Sequence, residues 1–152
     1  VRGEPYAAVE VETLLAAVMA GLVEERKGRL DIETASSGLV LEVPRTALTT
    51  TLLNLVRNAF DASGPEDRVK MSAYRRADQV QISVTDEGRG MKADELLRAR
   101  DPFFTTKPPG AGLGLGLYLA DTLLDAIGGE LDLVSSPGQG TRSVVYLPLK
   151  PE

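Results

Sequence analysis

The sequence predicts an α+β fold in which helices pack against one face of a sheet. Two observations support this prediction. Apolar residues recur at helical spacing in three segments, 11–26, 44–62 and 113–127, and they alternate with polar residues in shorter segments that are typical of strands. Runs of helix and of antiparallel strand together indicate a two-layer α/β sandwich. At 152 residues the chain is most simply one domain with its own core.

The first part of the chain is predicted to contain one helix and two strands. The helix over 11–26 carries leucine and valine on one side and is expected to end near Gly28. Alternation of apolar and polar residues predicts strands over 30–33 and 39–43. The cluster of small residues at 35–38 predicts a turn between them.

The middle of the chain is predicted to be a long helix followed by a hairpin. Pro44 suits the first position of the helix, where its missing N–H costs nothing. The helix is expected to run to about Ala62 and to stop at the breaker segment 63–65. Segments 69–73 and 80–84 then alternate on either side of a short link, which predicts an antiparallel hairpin with one covered face.

The last part is predicted to contain a loop, a third helix and two strands. Proline and glycine are frequent over 98–112, which indicates a long loop. The helix that follows has its apolar residues on one side and ends at Gly128 and Gly129. Strands are predicted around 131–133 and over 144–149, with a turn between them.

The composition excludes several classes of protein. The net charge of −5 argues against a nucleic-acid-binding surface. Cysteine is absent, which excludes disulfides and thiolate metal sites and fits a reducing compartment. We expect a cytoplasmic location for this chain, as part of a full-length protein that could be membrane-anchored. The longest apolar run, 14–23, is shorter than the ~20 residues that span a bilayer, so we expect no membrane segment in this chain.

Three short polar side chains recur along the second helix. Asn54, Asn58 and Asp61 are spaced i, i+4 and i+7, which places them on one stripe opposite the apolar face. Such a row of oxygen-bearing side chains suits a hard cation such as Mg²⁺, which takes one or two protein ligands and leaves its other positions to phosphates and water. The alternative is an ordinary polar helix face that makes local hydrogen bonds.

Two glycine-rich segments lie near the long loop, one before it and one at its end. At 86–90 (DEGRG), the glycines let the backbone approach a ligand closely, and the carboxylate of Asp86 can accept a hydrogen bond from an exocyclic amine. A plain turn is the alternative there. Glycines at every second position over 110–116 open onto the third helix, whose first N–H groups suit a phosphate. Their spacing does not match the dinucleotide fingerprint, and no Walker-type Gly-Lys-Ser/Thr occurs.

The segment 101–109 combines two adjacent aromatic residues, Phe103 and Phe104, with two threonines and Lys107. Aromatic residues on a loop bounded by proline are typical of a lid over a ligand or of a contact with a partner. The alternative is that one phenyl ring simply anchors the loop to the core.

Taken together and in this order, the segments resemble the catalytic, ATP-binding domain of bacterial sensor histidine kinases. That domain has the GHKL or Bergerat fold, which it shares with type II topoisomerases, Hsp90 and the MutL mismatch-repair proteins. The N, G1, F and G2 boxes of the family and its last motif are matched, respectively, by residues 54–61, 86–90, 101–107, 110–117 and 136–141.

The resemblance covers roughly residues 9–149 and implies a mixed, mostly antiparallel sheet packed on about three helices. Residues 9–150 would form the catalytic domain, and residues 1–8 would be an N-terminal tail or the remnant of a linker from a dimerisation domain. Because the family dimerises through that other domain, the isolated chain is expected to be a monomer.

The resemblance also implies roles for individual residues. Asn58 would be the Mg²⁺ ligand, Asp86 would recognise adenine, and Thr141 would support the adenine site. Lys107 would lie in the lid near the γ-phosphate and is, with Asn54, a candidate catalytic residue. The other residues predicted to bind ATP are Asp61, Gly88, Gly90, Gly112, Leu113, Gly114, Leu115 and Gly116.

Asn54 distinguishes a kinase from an ATPase. In the related ATPases a glutamate four residues before the metal asparagine activates water, and the amide of Asn54 cannot act as that general base. The sequence departs from the family at Asp61, where many members carry a Lys or Arg that contacts phosphate. Lys107, Arg57 and Arg100 are the candidates to compensate.

The resemblance implies a protein-histidine kinase domain that binds Mg²⁺–ATP and donates the γ-phosphoryl group to a histidine on a separate dimerisation domain, with a response regulator downstream. The chain contains no histidine, so it cannot be its own acceptor and is expected to be inactive alone. A rival interpretation is a nucleotide-sensing module of the same fold that regulates a partner without transfer. The F box disfavours a third possibility, a serine kinase of the anti-sigma type.

Overall fold

The computed structural model describes residues 3–34, 37–107 and 114–150. No helix among these residues has both the length and the apolar character needed to cross a bilayer. In chain order the elements are β1 (Ala7–Glu10), α1 (Val11–Ala20), α2 (Glu24–Lys27), β2 (Leu30–Thr34), β3 (Val40–Val43), α3 (Arg45–Asp61), β4 (Val69–Arg76), β5 (Gln79–Asp86), α4 (Ala93–Arg98), α5 (Gly116–Ala126), β6 (Glu130–Ser135) and β7 (Thr141–Pro148).

Five strands form the main sheet, in the order β2-β4-β5-β7-β6. β2 pairs in parallel with β4, and the other neighbouring pairs of this sheet are antiparallel. β1 and β3 pair separately as a two-stranded antiparallel ribbon. The predicted hairpin is confirmed as β4 and β5, with Met71 opposite Val84. The sheet is therefore mixed and mostly antiparallel, as expected.

Three helices cover one face of the sheet, and the core lies between the helices and the strands. α3 contacts α1 and α5 and also packs on β4 and β5. The side chains of Leu14, Leu48, Leu52, Ile82 and Leu124 are completely buried between these elements. Alternation along β4 and β5 presents an apolar row to the helices, so hydrophobic burial decides which face is covered. The predicted α+β class and its two-layer arrangement are confirmed.

The helices differ from the prediction in three places. The first helix ends at Ala20, because Gly21 is a poor helix former, and the separate turn of helix α2 follows. α4 is not predicted by the sequence, since its six residues include no buried one and show no apolar period. α5 begins at Gly116, and the predicted start at Leu113 lies outside the described residues.

The N-terminal segment is tied to the domain by β1, which the sequence does not predict. β1 starts at Ala7, two residues before the expected domain boundary, and pairs with β3. The carboxylate of Glu4 accepts hydrogen bonds from the backbone N–H groups of Thr46 and Ala47 (2.7 and 3.0 Å), at the start of α3. A negative charge at that end of a helix is favourable. The division of the chain after residue 8 stays a prediction.

The buried position of Leu52 predicts a large loss of stability when its side chain is shortened. Leu52→Ala opens a cavity between α3 and the sheet, and such changes destabilise by about 2–5 kcal/mol. Leu97→Ala is the matched control, because Leu97 is 85% exposed on α4 and its truncation should change stability by no more than about 0.5 kcal/mol. Urea unfolding followed by circular dichroism measures both variants. Equal losses would contradict the packing described here.

Candidate functional site

A cavity of about 400 Å³, within the usual range of small-molecule sites, is lined by α3, the ends of three strands and the start of α5. Each of the five sequence motifs contributes to its lining. The lining residues are Leu55, Asn58 and Ala59 of α3 and Ala62 directly after it; Asp86, Leu133, Thr141 and Ser143 of the strands; Arg89, Gly90, Met91 and Ala99 between β5 and the lid; and residues 104–107 and 114–117.

Asp86, the last residue of β5, is the buried carboxylate of the cavity. It is 5% exposed, and its Oδ1 accepts hydrogen bonds from the backbone N–H groups of Gly88 (2.9 Å) and Thr141 (3.3 Å). Its Oδ2 accepts no hydrogen bond from any residue within 3–34, 37–107 or 114–150, and this oxygen is not fully buried. One oxygen therefore fixes the carboxylate, and the other is left for a donor in the cavity.

Burial raises the pKa of Asp86 above its ordinary value, because removal from water disfavours the charged form. The N–H groups of Gly88 and Thr141 and the positive charge of Arg89 act in the opposite direction and stabilise the carboxylate. A titratable group with a perturbed pKa in a cavity is typical of a functional site.

The two glycines that follow Asp86 are required by the protein backbone. A Cβ atom on Gly88 would overlap the carbonyl oxygen of Ala62 at the end of α3, and Gly88 does not line the cavity. Gly90 lines the cavity, but it has a φ of +67°, and a Cβ there would overlap the carbonyl oxygen of Ser136. Close packing of chain segments thus accounts for both glycines, and the binding of ATP by Gly88 and Gly90 stays a prediction.

Thr141 supports Asp86 from the neighbouring strand. Besides the N–H that it donates to Asp86, its Oγ1 lies 2.8 Å from Oγ of Ser135. Ser135 in turn donates to the carbonyl of Gly140 and accepts a hydrogen bond from the N–H of Met91. These bonds join β5, β6 and β7 beside the cavity, so the position of Asp86 is fixed by three strands.

Several residues at the site are not identified by sequence reasoning. Ser143 and Leu133 could have been found, because Ser143 lies two residues after Thr141 on the same face of β7, and Leu133 is its partner on β6. Arg89 and Met91 follow no spacing rule. Their place at the cavity depends on how the segment after β5 turns back towards α3.

α3 brings only one of its three predicted polar residues into the cavity. Asn58 lines the cavity and is half-buried. Asn54, one turn earlier, is partly exposed and is not a lining residue. Asp61, the last residue of the helix, lies at a second and more open cleft. The catalytic role expected of Asn54 stays a prediction.

Lys107 connects Asn58 with Asp61. Its ammonium group lies 2.7 Å from Oδ2 of Asp61 and 3.3 Å from Oδ1 of Asn58. Oδ1 of Asp61 also accepts a hydrogen bond from Arg26 at 2.9 Å. Partial burial disfavours the charged form of Asp61, but the hydrogen bonds from Lys107 and Arg26 outweigh it and hold the pKa of this carboxyl below its ordinary value.

Of the three residues expected to replace the phosphate-contacting cation, only Lys107 lines the cavity, and it also contacts Asp61. Arg57 donates to a backbone carbonyl after α1, and Arg100 forms an ion pair with an aspartate of α5. Arg89, which the sequence analysis did not single out, lines the cavity and donates to the backbone carbonyl of Asp61 at 3.4 Å. Positive charge at this end of the cavity therefore comes from Lys107 and Arg89.

The aromatic pair of the lid divides between cavity and surface. Phe104 lines the cavity, and the guanidinium carbon of Arg98 lies 4.6 Å from the centre of its ring. Phe103 is 71% exposed and has a φ of +67°, which residues other than glycine rarely adopt. One phenyl ring thus anchors the lid, and the other is presented to solvent.

The glycine-rich segment leads into α5 at the cavity. Gly114, Leu115 and Gly116 are all lining residues, and α5 begins at Gly116. The first N–H groups of a helix have no intrahelical partner and favour an anion. The predicted Gly112 and Leu113 lie outside the described residues.

Residues 43–151 match the family model described as histidine kinase-, DNA gyrase B- and HSP90-like ATPase. The chain belongs to this family. A curated relative, the sensor protein kinase FleS of Pseudomonas aeruginosa, is 49% identical over 107 residues, which are 70% of this chain and 26% of FleS. The chain spans about a quarter of the length of such relatives.

Solved structures of histidine kinases have the same fold. The catalytic domain of the histidine kinase ThkA is 28% identical, with a TM-score of 0.82 over 94% of this chain and 95% of that domain. Full-length ShkA, solved in complex with AMPPNP, is 26% identical, with coverage of 97% of this chain and 32% of ShkA. The resemblance to the catalytic domain of sensor histidine kinases is confirmed, and ATP is the nucleotide of this family.

The raised pKa of Asp86 predicts that its charge destabilises the folded chain. Because its pKa is higher in the folded state than the unfolded value of about 3.9, stability falls as the pH rises from about 3.9 through the folded pKa. Asp86→Asn should therefore raise the free energy of unfolding at neutral pH, and this gain should shrink as the pH falls towards about 4. Urea unfolding of both proteins across this range measures the difference. A lower stability of Asp86→Asn than of the wild type at neutral pH would contradict a raised pKa of Asp86.

Proposed function

We propose that this chain binds ATP in the cavity, with adenine at Asp86 and the phosphates towards Asn58 and the start of α5. The observation that carries this proposal is the carboxylate of Asp86, with one oxygen held by two backbone N–H groups and the other left to a ligand. Adenine offers an amino group to such an oxygen, whereas guanine carries a carbonyl oxygen at that position. The complex of ShkA with AMPPNP, an ATP analogue, supports the proposal.

Asn58 is the residue that would hold Mg²⁺ beside the phosphates. An amide oxygen is a ligand that Mg²⁺ accepts, and this ion usually takes only one or two protein ligands next to phosphate and water. Asn58 lines the cavity, and the part of the chain that the structure describes contains no cluster of three or more acidic side chains that could hold a metal instead. When bound, Mg²⁺ would neutralise charge on the phosphates.

Phosphoryl transfer requires mainly positioning and neutralisation of charge. In this chain, Asp86 and Thr141 would hold the base, while the N–H groups at the start of α5 would contact the phosphates. Lys107 adds a positive charge beside Asn58. Phe104 lines the same cavity and would help to exclude water from the donor.

The acceptor in this proposal is a histidine on a separate dimerisation domain of the full-length protein, and a response regulator acts downstream. The chain has no histidine, so the nucleophilic imidazole must come from elsewhere. The names of FleS and of the sporulation kinase C of Bacillus subtilis, which is 32% identical over 93% of this chain, support a kinase. We further propose that the isolated chain is a cytoplasmic monomer. Residues 1–8 would be an N-terminal tail or the remnant of a linker, of which Ala7 and Ala8 pair with β3.

Asp86→Asn should weaken ATP binding about 100-fold or more, because its amide would present a donor to the amino group of adenine. The wild-type chain should prefer ATP to GTP, and the variant should lose most of this preference. Isothermal titration calorimetry with both nucleotides and Mg²⁺ measures these affinities. Asp132→Asn, the same change at an exposed position of β6, is the control and should change neither the affinity for ATP nor the preference for ATP over GTP. Unchanged ATP affinity in Asp86→Asn would refute the adenine assignment.

The transfer step is tested with the dimerisation domain of the chain's own full-length protein. In a mixture of this domain, the present chain, Mg²⁺ and ATP labelled at the γ-phosphate, the dimerisation domain should acquire an acid-labile label. A dimerisation domain whose acceptor histidine is replaced by glutamine is the control and should stay unlabelled. Nucleotide binding without transfer to the matched partner would refute the kinase and favour the nucleotide-sensing module.

A further inference from the structure

The ammonium group of Lys107 contacts the amide oxygen of Asn58, which the proposed function assigns to Mg²⁺. Its Nζ is 3.3 Å from Oδ1 of Asn58 and 2.7 Å from Oδ2 of Asp61. Oδ1 of Asn58 is the atom assigned above to Mg²⁺, so the inference that follows rests on the proposed function. Mg²⁺ at its usual distance of ~2.1 Å from that oxygen would lie within about 5 Å of the ammonium group.

Two cations at one amide oxygen repel each other. The oxygen is formally neutral and compensates neither charge, and repulsion in a half-buried site is stronger than in bulk water. Lys107 must therefore either leave Asn58 when the metal binds or remain there and weaken the binding of the metal. The strength with which Lys107 is held decides how much metal affinity is lost.

Asp61 is the group that holds Lys107. Its carboxylate accepts hydrogen bonds from Lys107 and from Arg26, which fix it from two sides. Arg26 in turn lies over the ring of Phe60, 5.3 Å from its centre. The side chains of Lys107 and Asp61 are 25% and 33% exposed, whereas those of the surface pair of Lys70 and Glu33 are 51% and 53% exposed. The Lys107–Asp61 pair is thus screened less by water than an ordinary surface pair.

We propose that Asp61 keeps Lys107 at Asn58 as a tethered cation that competes with Mg²⁺ for the amide oxygen. Asp61 is a positioning residue, because it acts on the metal only through Lys107. Removing the lysine should then strengthen the dependence of nucleotide binding on Mg²⁺, and the size of this effect should depend on the charge of Asp61.

The test is a double-mutant cycle on the 152-residue chain. The affinity for AMPPNP is measured by calorimetry in EDTA and at increasing MgCl₂ concentrations. The ratio of the affinity at saturating MgCl₂ to the affinity in EDTA is the gain from Mg²⁺. Four proteins are compared: the wild type, Lys107→Met, Asp61→Asn and the double variant. Lys107→Gln repeats the lysine change with a polar side chain of similar length. Circular dichroism confirms that each variant is folded.

Lys107→Met should increase the gain from Mg²⁺ about fivefold or more when Asp61 is present, and about twofold or less in the Asp61→Asn background. An equal increase in both backgrounds would indicate a general charge effect and would overturn the proposal. A gain from Mg²⁺ that falls or stays unchanged in Lys107→Met would overturn it as well, since Lys107 would then assist the metal or act only on phosphate.

The matched control is Lys70→Met, which removes the lysine of the surface pair with Glu33 and should leave the gain from Mg²⁺ unchanged. The experiment also separates this inference from the proposed function. If the wild-type chain binds no AMPPNP with or without Mg²⁺, the proposed function fails. If it binds AMPPNP but the cycle shows no coupling between Asp61 and Lys107, only the tethered-cation proposal fails.

Discussion

The site depends on one interaction, the capture of the buried Asp86 carboxylate by the backbone N–H groups of Gly88 and Thr141. A buried charge without such partners is strongly unfavourable, so the segments that supply the N–H groups must lie against the end of β5. Asp86 pairs with Thr141 at the end of the β5–β7 ladder, and Gly88 lies against the end of α3. Motifs far apart in the sequence therefore meet at one cavity.

The end of the cavity that is proposed to hold the phosphates shows how an acidic chain can accommodate an anionic ligand. The net charge is −5, yet Lys107 and Arg89 line the cavity together with the start of α5. Local arrangement, not total charge, sets the potential at the site. Asp61 contributes to this arrangement indirectly, since it holds Lys107 of the lid beside the cavity.

The parts of the fold that follow a period could be predicted from the sequence. The hairpin of β4 and β5 and the apolar face of α3 are long enough for alternation or helical spacing to be visible. The ribbon of β1 and β3 could not be predicted in full, because β1 has four residues of which only Val9 is buried. Its pairing depends on its contacts with β3 and α1 more than on its own pattern.

The candidate site divides in the same way. Asp86 and Asn58 could be predicted because their motifs have a fixed spacing, and both line the cavity. The roles of Asp61 and Gly88 could not, since they depend on tertiary contacts: Asp61 meets Arg26 from 35 positions earlier in the chain, and Gly88 meets the carbonyl of Ala62. The spacing on α3 predicts one stripe of three polar residues, but only Asn58 lines the cavity, and Asp61 lies at the second cleft.

The parallel pairing of β2 with β4 has a consequence for the order of folding. Leu30 pairs with Val69, and the segment between the two paired strands contains β3 and the whole of α3. Because closing so long a loop is entropically unfavourable, β2 is expected to join the sheet late. α3 and the hairpin of β4 and β5 are neighbours in sequence and can form first. Asn58 and Asp86 belong to these elements, so this part of the pocket can form before β2 joins the sheet.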